Sequence, residues 1–261
     1  MSMLSPHKQM VVELLRSFVT GDSTPLKYID SKKYIQHNLA AADGLDGLIA
    51  FREVLLSTNE EKKINIIRVF EDGDYVFTHS EACFFGPEIS FDIFRFENDK
   101  IVEHWDVTQK NPLEPTPSGH TMTDGPTTAI DLDKTESNKT LVRQFCEEVL
   151  VNCELDKLAG YFDGENYIQH FQYLPDGMSA LKDGMVDSAT KGYFIPYDPP
   201  RKVLGEGNFV LVMSSGGLEG SELGGAFCDL FRVENGKIAE HWDATEAILP
   251  QNEWKNTNSK F

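Results

Sequence analysis

Positive charge, sulfur and long apolar runs are all scarce in this chain. Lys and Arg number 24 against 42 Asp and Glu, a formal net charge of −18. A surface of that sign repels phosphate backbones and anionic lipid, which argues against nucleic-acid and membrane-surface roles. Apolar runs stop after a few residues, far short of the roughly 20 needed to span a bilayer. The start, Met1 to Lys8, has no basic stretch followed by an apolar one. No secretory signal is therefore expected, and a cytoplasmic location is. The four cysteines, Cys83, Cys146, Cys153 and Cys228, form no Cys-x-x-Cys pair and are too few for a disulfide framework. Buried, reduced thiols are the expectation. The remainder is ordinary globular composition, 40% apolar and 25% charged over 261 residues, enough for one large core or two average ones.

The chain repeats itself. Tyr34-Ile35-Gln36-His37 returns as Tyr167-Ile168-Gln169-His170, and Asp92–Thr108 (DIFRFENDKIVEHWDVT) returns as Asp229–Thr245 (DLFRVENGKIAEHWDAT), with 12 of 17 positions identical. A period of about half the chain is too long for a solenoid, so each copy should be a complete domain. Residues 111–135 are rich in Pro, Gly, Thr and Asp without helical or strand period, which reads as a linker. The expected division is 1–110, a linker over 111–135, and 136–261.

Within the first copy, Ser5-Pro6 reads as a helix cap with proline in the first turn. Val11, Leu14, Leu15, Phe18 and Val19 then follow a helical period. The second copy matches with Val142, Phe145, Cys146, Val149, Leu150 and Cys153. Short helices are expected over 25–29 and 155–161, and longer ones from Leu45 and from Met178 to Ala189. Four strands complete the copy, 63–70, 75–85, 91–97 and 100–108. The last two flank Asn98-Asp99, matched by Asn235-Gly236, a strong two-residue hairpin signal. Helices first and an antiparallel meander after make an α+β unit.

A plain two-residue turn pairs residues whose numbers sum to 197 and sorts the side chains by alternation. His104 and Asp106 then share a largely apolar face with Phe91 and Ile93, while Trp105, Glu103, Asp92 and Phe94 take the other. A carboxyl on such a face should be pushed above its ordinary range unless a donor or cation offsets burial. Raised, and beside an imidazole, it is suited to general-base work. The equivalents in the second copy are His241 and Asp243.

Helices followed by a curved antiparallel sheet, Tyr-Ile-Gln-His before the third helix, and a closing Asp-x-Phe-Arg-x-x-x-x-Lys-Ile-x-Glu-His-Trp-Asp hairpin together resemble the SnoaL-like polyketide cyclase family of the nuclear transport factor 2-like superfamily. The resemblance implies two tandem cone-shaped α+β barrels with helices packed on a curved sheet. It also implies cofactor-free chemistry, with an aspartate on the last strand removing a proton next to a carbonyl. That aspartate matches Asp106 and Asp243, and a pocket histidine matches His37 and His170. The sequence departs from the family at Asp92 and Asp229, where the cyclases use histidine, and at Leu39 and Phe171 in the segment after Gln-His. A bulge would be needed to bring Asp92 and Asp106 to one side.

Three readings of the site follow, beside a fourth in which the sheet face serves as a scaffold and needs a large apolar patch. In the first, an enzyme acts on a small hydrophobic carbonyl compound. Asp106 is its base, His37 and His104 bond the oxyanion, and Tyr34 and Trp105 shape the pocket. Asp243, His170, His241, Tyr167 and Trp242 repeat the set. In the second, the cone binds an apolar ligand without chemistry, a reading encouraged by the glycine-rich Ser214–Gly220. In the third, His37, His104 and Asp106 hold a metal, although their spacing follows no recognised pattern. No metal or cofactor is otherwise expected. The doubled architecture suggests an intramolecular pseudo-dimer, with whole-chain homodimers also open. Trp254 is expected to cap one cone.

Overall fold

The computed structural model describes residues 4–58, 61–191 and 197–261. The first three residues of the N-terminal reading lie outside that range. The chain forms two compact units, one from Met1–Asn111 with Leu249–Phe261, the other from Pro112–Ile248. The expected boundaries are corrected in two places. The segment 111–135 is not a free joint, because from Pro112 onward it belongs to the second unit. The last 13 residues belong to the first unit, not to the second.

In the first unit, α1 (Pro6–Thr20) starts where sequence places it: the Ser5 hydroxyl accepts from the Lys8 N–H at 3.2 Å, and Pro6 opens the helix. Gly21 ends it at φ 76°, a left-handed conformation open to glycine at little steric cost. A short 3-10 turn, Thr24–Tyr28, precedes β1 (Ile35–Gln36) and α2 (Gly44–Ser57). Four long strands follow: β2 (Lys63–Asp72), β3 (Tyr75–Cys83), β4 (Pro87–Glu97) and β5 (Lys100–Lys110). The sheet order is β1-β5-β4-β3-β2. The expected all-antiparallel sheet is mixed, because the Ile35-Gln36 pair adds a parallel strand beside β5. Val11, Leu14 and Leu15 of α1 and Leu48 of α2 pack with Val76, Phe94, Phe96 and Ile101 of the sheet. Each such side chain contributes roughly 1.5–3 kcal/mol by leaving water.

The second unit repeats the plan. It has α3 (Thr135–Phe145), extended by a wider turn over Cys146–Val151, then α4 (Leu158–Tyr161), β6 (Ile168–Gln169) and α5 (Met178–Thr190). Strands β7 (Lys202–Glu206), β8 (Phe209–Leu218), β9 (Ser221–Glu234) and β10 (Lys237–Ala247) complete it, in the order β6-β10-β9-β8-β7. The expectation of buried thiols holds for Cys146 and Cys228 only. Cys83 is half-buried, and Cys153 is exposed because the chain leaves the helix there at φ 58°. No helix among the described residues is long and apolar enough to cross a membrane.

The hairpin β4-β5 decides which side chains meet. Asn98 and Asp99 both have positive φ, 51° and 57°, the twist-matching turn expected of two central residues. Pairing near the turn follows the simple rule, Glu97 with Lys100 and Phe96 with Ile101. It then shifts, so that Arg95 faces Glu103, Phe94 faces His104 and Asp92 faces Asp106. Val102 is the extra residue of a β-bulge. The expected division of faces is therefore corrected. Asp92 and Phe94 share a face with His104 and Asp106, and Phe91 and Ile93 lie on the other with Trp105. The second unit has the same shift at Ala239, placing Asp229 opposite Asp243.

Candidate functional site

Each unit holds a cavity between its helices and the His-Asp face of its sheet. The first is about 210 Å³ and the second about 720 Å³. Leu14, Leu48, Phe51, Phe94 and Leu55 supply much of the apolar lining in the first; Phe145, Leu150, Leu181, Met185 and Phe231 do so in the second.

The polar groups at the sheet end of each cavity form one chain of hydrogen bonds. In the second unit the Phe171 N–H donates to Gln169 Oε1 at 3.0 Å, which fixes the amide orientation. The same oxygen faces His241 Nδ1 at 2.9 Å, so Nδ1 carries a proton. His241 Nε2 then meets Asp229 Oδ1 at 3.0 Å, with a proton held between them. The amide nitrogen of Gln169 donates to the Tyr167 hydroxyl oxygen at 2.9 Å. Tyr197, which also lines this cavity, is hydrogen-bonded to Asp229. The first unit repeats the chain through Gln36, His104 Nδ1 (2.9 Å), His104 Nε2 to Asp92 Oδ1 (3.1 Å) and Tyr34 (3.1 Å). Gln36 and Gln169 had no role in the sequence reading. Their signal was the strand alternation of Tyr-Ile-Gln-His, which puts Tyr and Gln on the side away from Ile.

The two aspartates of the last strands differ. Asp243 is 8% exposed, and its Oδ1 has no hydrogen-bond partner among the described residues. Burial raises its carboxyl to about 7; His241 opposes the rise and the charge of Asp229 adds to it. Asp106 is equally buried, and burial alone would raise it too. Here Lys260, His104 and a hydrogen bond from Asn38 outweigh burial, leaving the carboxyl below its ordinary range. Lys260 Nζ lies 3.2 Å from Asp106 Oδ1 and the lysine is 2% exposed. The expected raised carboxyl thus occurs in the second unit only. Phe171 stands where the first unit has Asn38, removing one donor. Ser259 and Thr121 accept from the equivalent histidines His37 and His170, so the next residues correspond: Met122, also buried, answers to Lys260 and brings no cation.

His37, His170, Trp105 and Trp242 are not cavity residues, which corrects the sequence reading. His37 and Trp105 stack at 4.8 Å, and His37 Nε2 meets Glu103 at 3.0 Å, all on the sheet face opposite His104. His170 and Trp242 stack at 4.7 Å, with His170 Nε2 to Glu240 at 2.9 Å. Strand alternation explains both, since His37 follows Gln36 and Trp105 lies between His104 and Asp106. These histidines anchor the docked segments instead: His37 Nδ1 donates to the Ser259 carbonyl and His170 Nδ1 to that of Thr121. The metal set His37, His104 and Asp106 is consequently not assembled. Trp254 caps neither cavity; its indole N–H donates to the Leu249 carbonyl at 2.7 Å.

Each unit is an α+β domain with one apolar cavity closed by helices on one sheet. Solved structures similar to this chain include TsrD from Streptomyces laurentii, 19% identical, covering 41% of this chain and 92% of that one, at a TM-score of 0.35. A second is from Shewanella putrefaciens CN-32 and is provisionally designated a SnoaL-like polyketide cyclase; it is 16% identical and covers 40% of this chain and 80% of its own, at 0.35. A third, from Kribbella flavida DSM 17836, is provisionally designated a ketosteroid isomerase. It is 15% identical and covers 45% and 84%, at 0.37. No family model and no curated protein matches the chain.

Proposed function

We propose that the second unit is a cofactor-independent enzyme that removes a proton next to the carbonyl of a small hydrophobic molecule, with Asp243 as the base. The observation that carries this reading is the isolated carboxyl of Asp243, pushed up to about 7 at the edge of a 720 Å³ apolar cavity. A base with that affinity is substantially ionised near neutrality yet takes a proton far more readily than an ordinary carboxylate.

The carbon–hydrogen bond breaks, its proton goes to Asp243, and its electron pair moves into the carbonyl to give an enolate. Tyr167 is the donor for the enolate oxygen. Its hydroxyl oxygen already accepts from Gln169, so its own proton is available to the cavity. Burial holds that phenol well above its ordinary range, so it stays a donor. The enolate carbon then either attacks a second carbonyl, an aldol condensation, or takes the proton back at another position, an isomerisation. Gln169 and Asp229 hold the two nitrogens of His241, so the histidine orients Asp229 rather than serving as a free donor. His170 and Trp242 stack behind the cavity and take no part in the step.

The first unit supports a second reading, ligand binding without chemistry. Its carboxyl is held by Lys260 and Asn38, and its cavity is about 210 Å³. The test for both is α-proton exchange. A panel of apolar ketones is incubated with the protein in deuterated water and followed by NMR. Exchange should be lost in Asp243→Asn and kept in Asp106→Asn. Exchange that survives Asp243→Asn, or is absent for ketones that bind, would overturn the enzymatic reading.

A further inference from the structure

The docked segment of the second unit carries a side-chain cluster that the cavity chemistry does not use. His120 and Asp124 come from that segment, and His170 from the end of β6. One donor atom from each lies within 4.8 Å of the others. His170 Nδ1 is 2.9 Å from Asp124 Oδ1, and His120 Nδ1 is 3.5 Å from Asp124 Oδ2.

The nitrogens on the far side of both rings are held by carboxylates. His170 Nε2 meets Glu240 at 2.9 Å, and Glu240 is itself locked by Arg232 at 2.6 Å. His120 Nε2 meets Asp176 at 3.2 Å. A carboxylate behind an imidazole orients the ring and increases its basicity toward a metal on the other nitrogen. Two rings so braced, with a third carboxylate beside the other nitrogen of each, offer a divalent metal three ligands.

The hydrogen bonds point the same way. His170 Nδ1, which donates to the Thr121 carbonyl at 2.6 Å, also lies against Asp124, and His120 Nδ1 faces that same carboxylate. A cation between them takes the place of the proton on His170 Nδ1 and satisfies Asp124 at the same time.

We infer that His120, Asp124 and His170 form a zinc-type metal site that fastens the docked segment to the second unit. Two imidazoles and one carboxylate suit zinc, whereas calcium and magnesium select all-oxygen sets. His170 is buried, while His120 is half-buried and Asp124 exposed, so the cation has a way in and a further ligand position faces solvent. Among the described residues the first unit has no such set. Asn258 takes the place of His120, donating to Asp43 at 2.6 Å just as His120 meets Asp176.

The test uses the full chain, stripped with chelator and titrated with zinc by calorimetry. One equivalent should bind, and the thermal midpoint should rise with zinc concentration. Asp124→Asn and His120→Ala should each lose that equivalent and the thermal shift, while keeping the wild-type circular dichroism. Glu240→Gln should weaken binding by about 10- to 100-fold. Cobalt should give a visible absorption spectrum in the wild type that is absent in His120→Ala. Absence of stoichiometric zinc binding, or binding that persists in both single variants, overturns the assignment.

Discussion

Lys260 and Asp106 form a buried ion pair 3.2 Å apart that joins the C-terminal segment to the last strand of the first unit's sheet. In the second unit the matching residues are Met122 and Asp243, and that carboxyl has no cation. With the replacement of Asn38 by Phe171, this exchange separates a carboxyl held below its ordinary range from one raised to about 7. The prediction is that Lys260→Met, which copies the second unit, destabilises the first by about 3–5 kcal/mol at neutral pH, because it strands a buried charge. Asp106 stabilises the wild type above the ordinary aspartate range, and that contribution fades as pH falls through its lowered folded value. The defect in Lys260→Met should therefore shrink in acid, and adding Asp106→Asn should recover most of it. Urea denaturation at neutral and acid pH measures both.

Asp243 contributes to stability with the opposite sign. Its folded carboxyl holds a proton up to about 7 against 3.8 for the ordinary group. The native state therefore binds more protons than the unfolded one between those values, and stability falls as pH rises through that window. The shift corresponds to a ceiling of about 4 kcal/mol. Asp243→Asn should be more stable than wild type above neutral pH and no more stable in acid. Thermal midpoints across pH for the two proteins check this. If Asp243 is the base, exchange of a bound ketone should also climb with pH and level off above about 7.

Tyr167→Phe separates shape from chemistry. The ring and its packing against Phe162 at 4.7 Å stay, and only the hydroxyl is lost. As the enolate donor, that hydroxyl should be worth about 10²–10³ in the exchange rate. Ketone affinity should change much less. An unchanged rate would remove Tyr167 from the mechanism and leave Asp243 in it.

Much of this arrangement is readable from residue order. The Ser5-Pro6 start, the Asn98-Asp99 and Asn235-Gly236 turns, and the duplication of Asp92–Thr108 all appear where local patterns place them. The docking of Leu249–Phe261 was not readable, because its anchors are single long-range bonds. Asn256 donates to the Asn38 and Ala41 carbonyls, and Lys260 reaches Asp106. A polar segment that buries one lysine has no periodicity to reveal it. His37 and Trp105 were misplaced for another reason: chemical type suggested a pocket, while strand alternation put them behind it.

The need for a bulge to bring Asp92 and Asp106 to one side is readable, but its place at Val102 and Ala239 is not, since an extra Val or Ala inside a strand reads as more strand. Their consequence is large, because a shift of one residue exchanges the faces of everything on one side of it. Were Ala239 to enter the ladder instead of bulging, the turn at Asn235-Gly236 would pair Asp229 with Trp242, and His241 with Asp243 would be presented opposite to Asp229. Deleting Ala239 removes the extra residue itself, so the plain ladder from the turn still pairs Asp229 with Asp243. The deletion should therefore keep the Asp229–His241 pair and retain ketone exchange, while the hairpin loses the local bend of the bulge. Replacing Ala239 with Val, the residue that forms the first unit's bulge, should likewise leave exchange within a few-fold of wild type. Circular dichroism and deuterium exchange compare the two variants with wild type. Loss of exchange in the deletion with the sheet intact would mean that the bend, and not the register alone, positions the site.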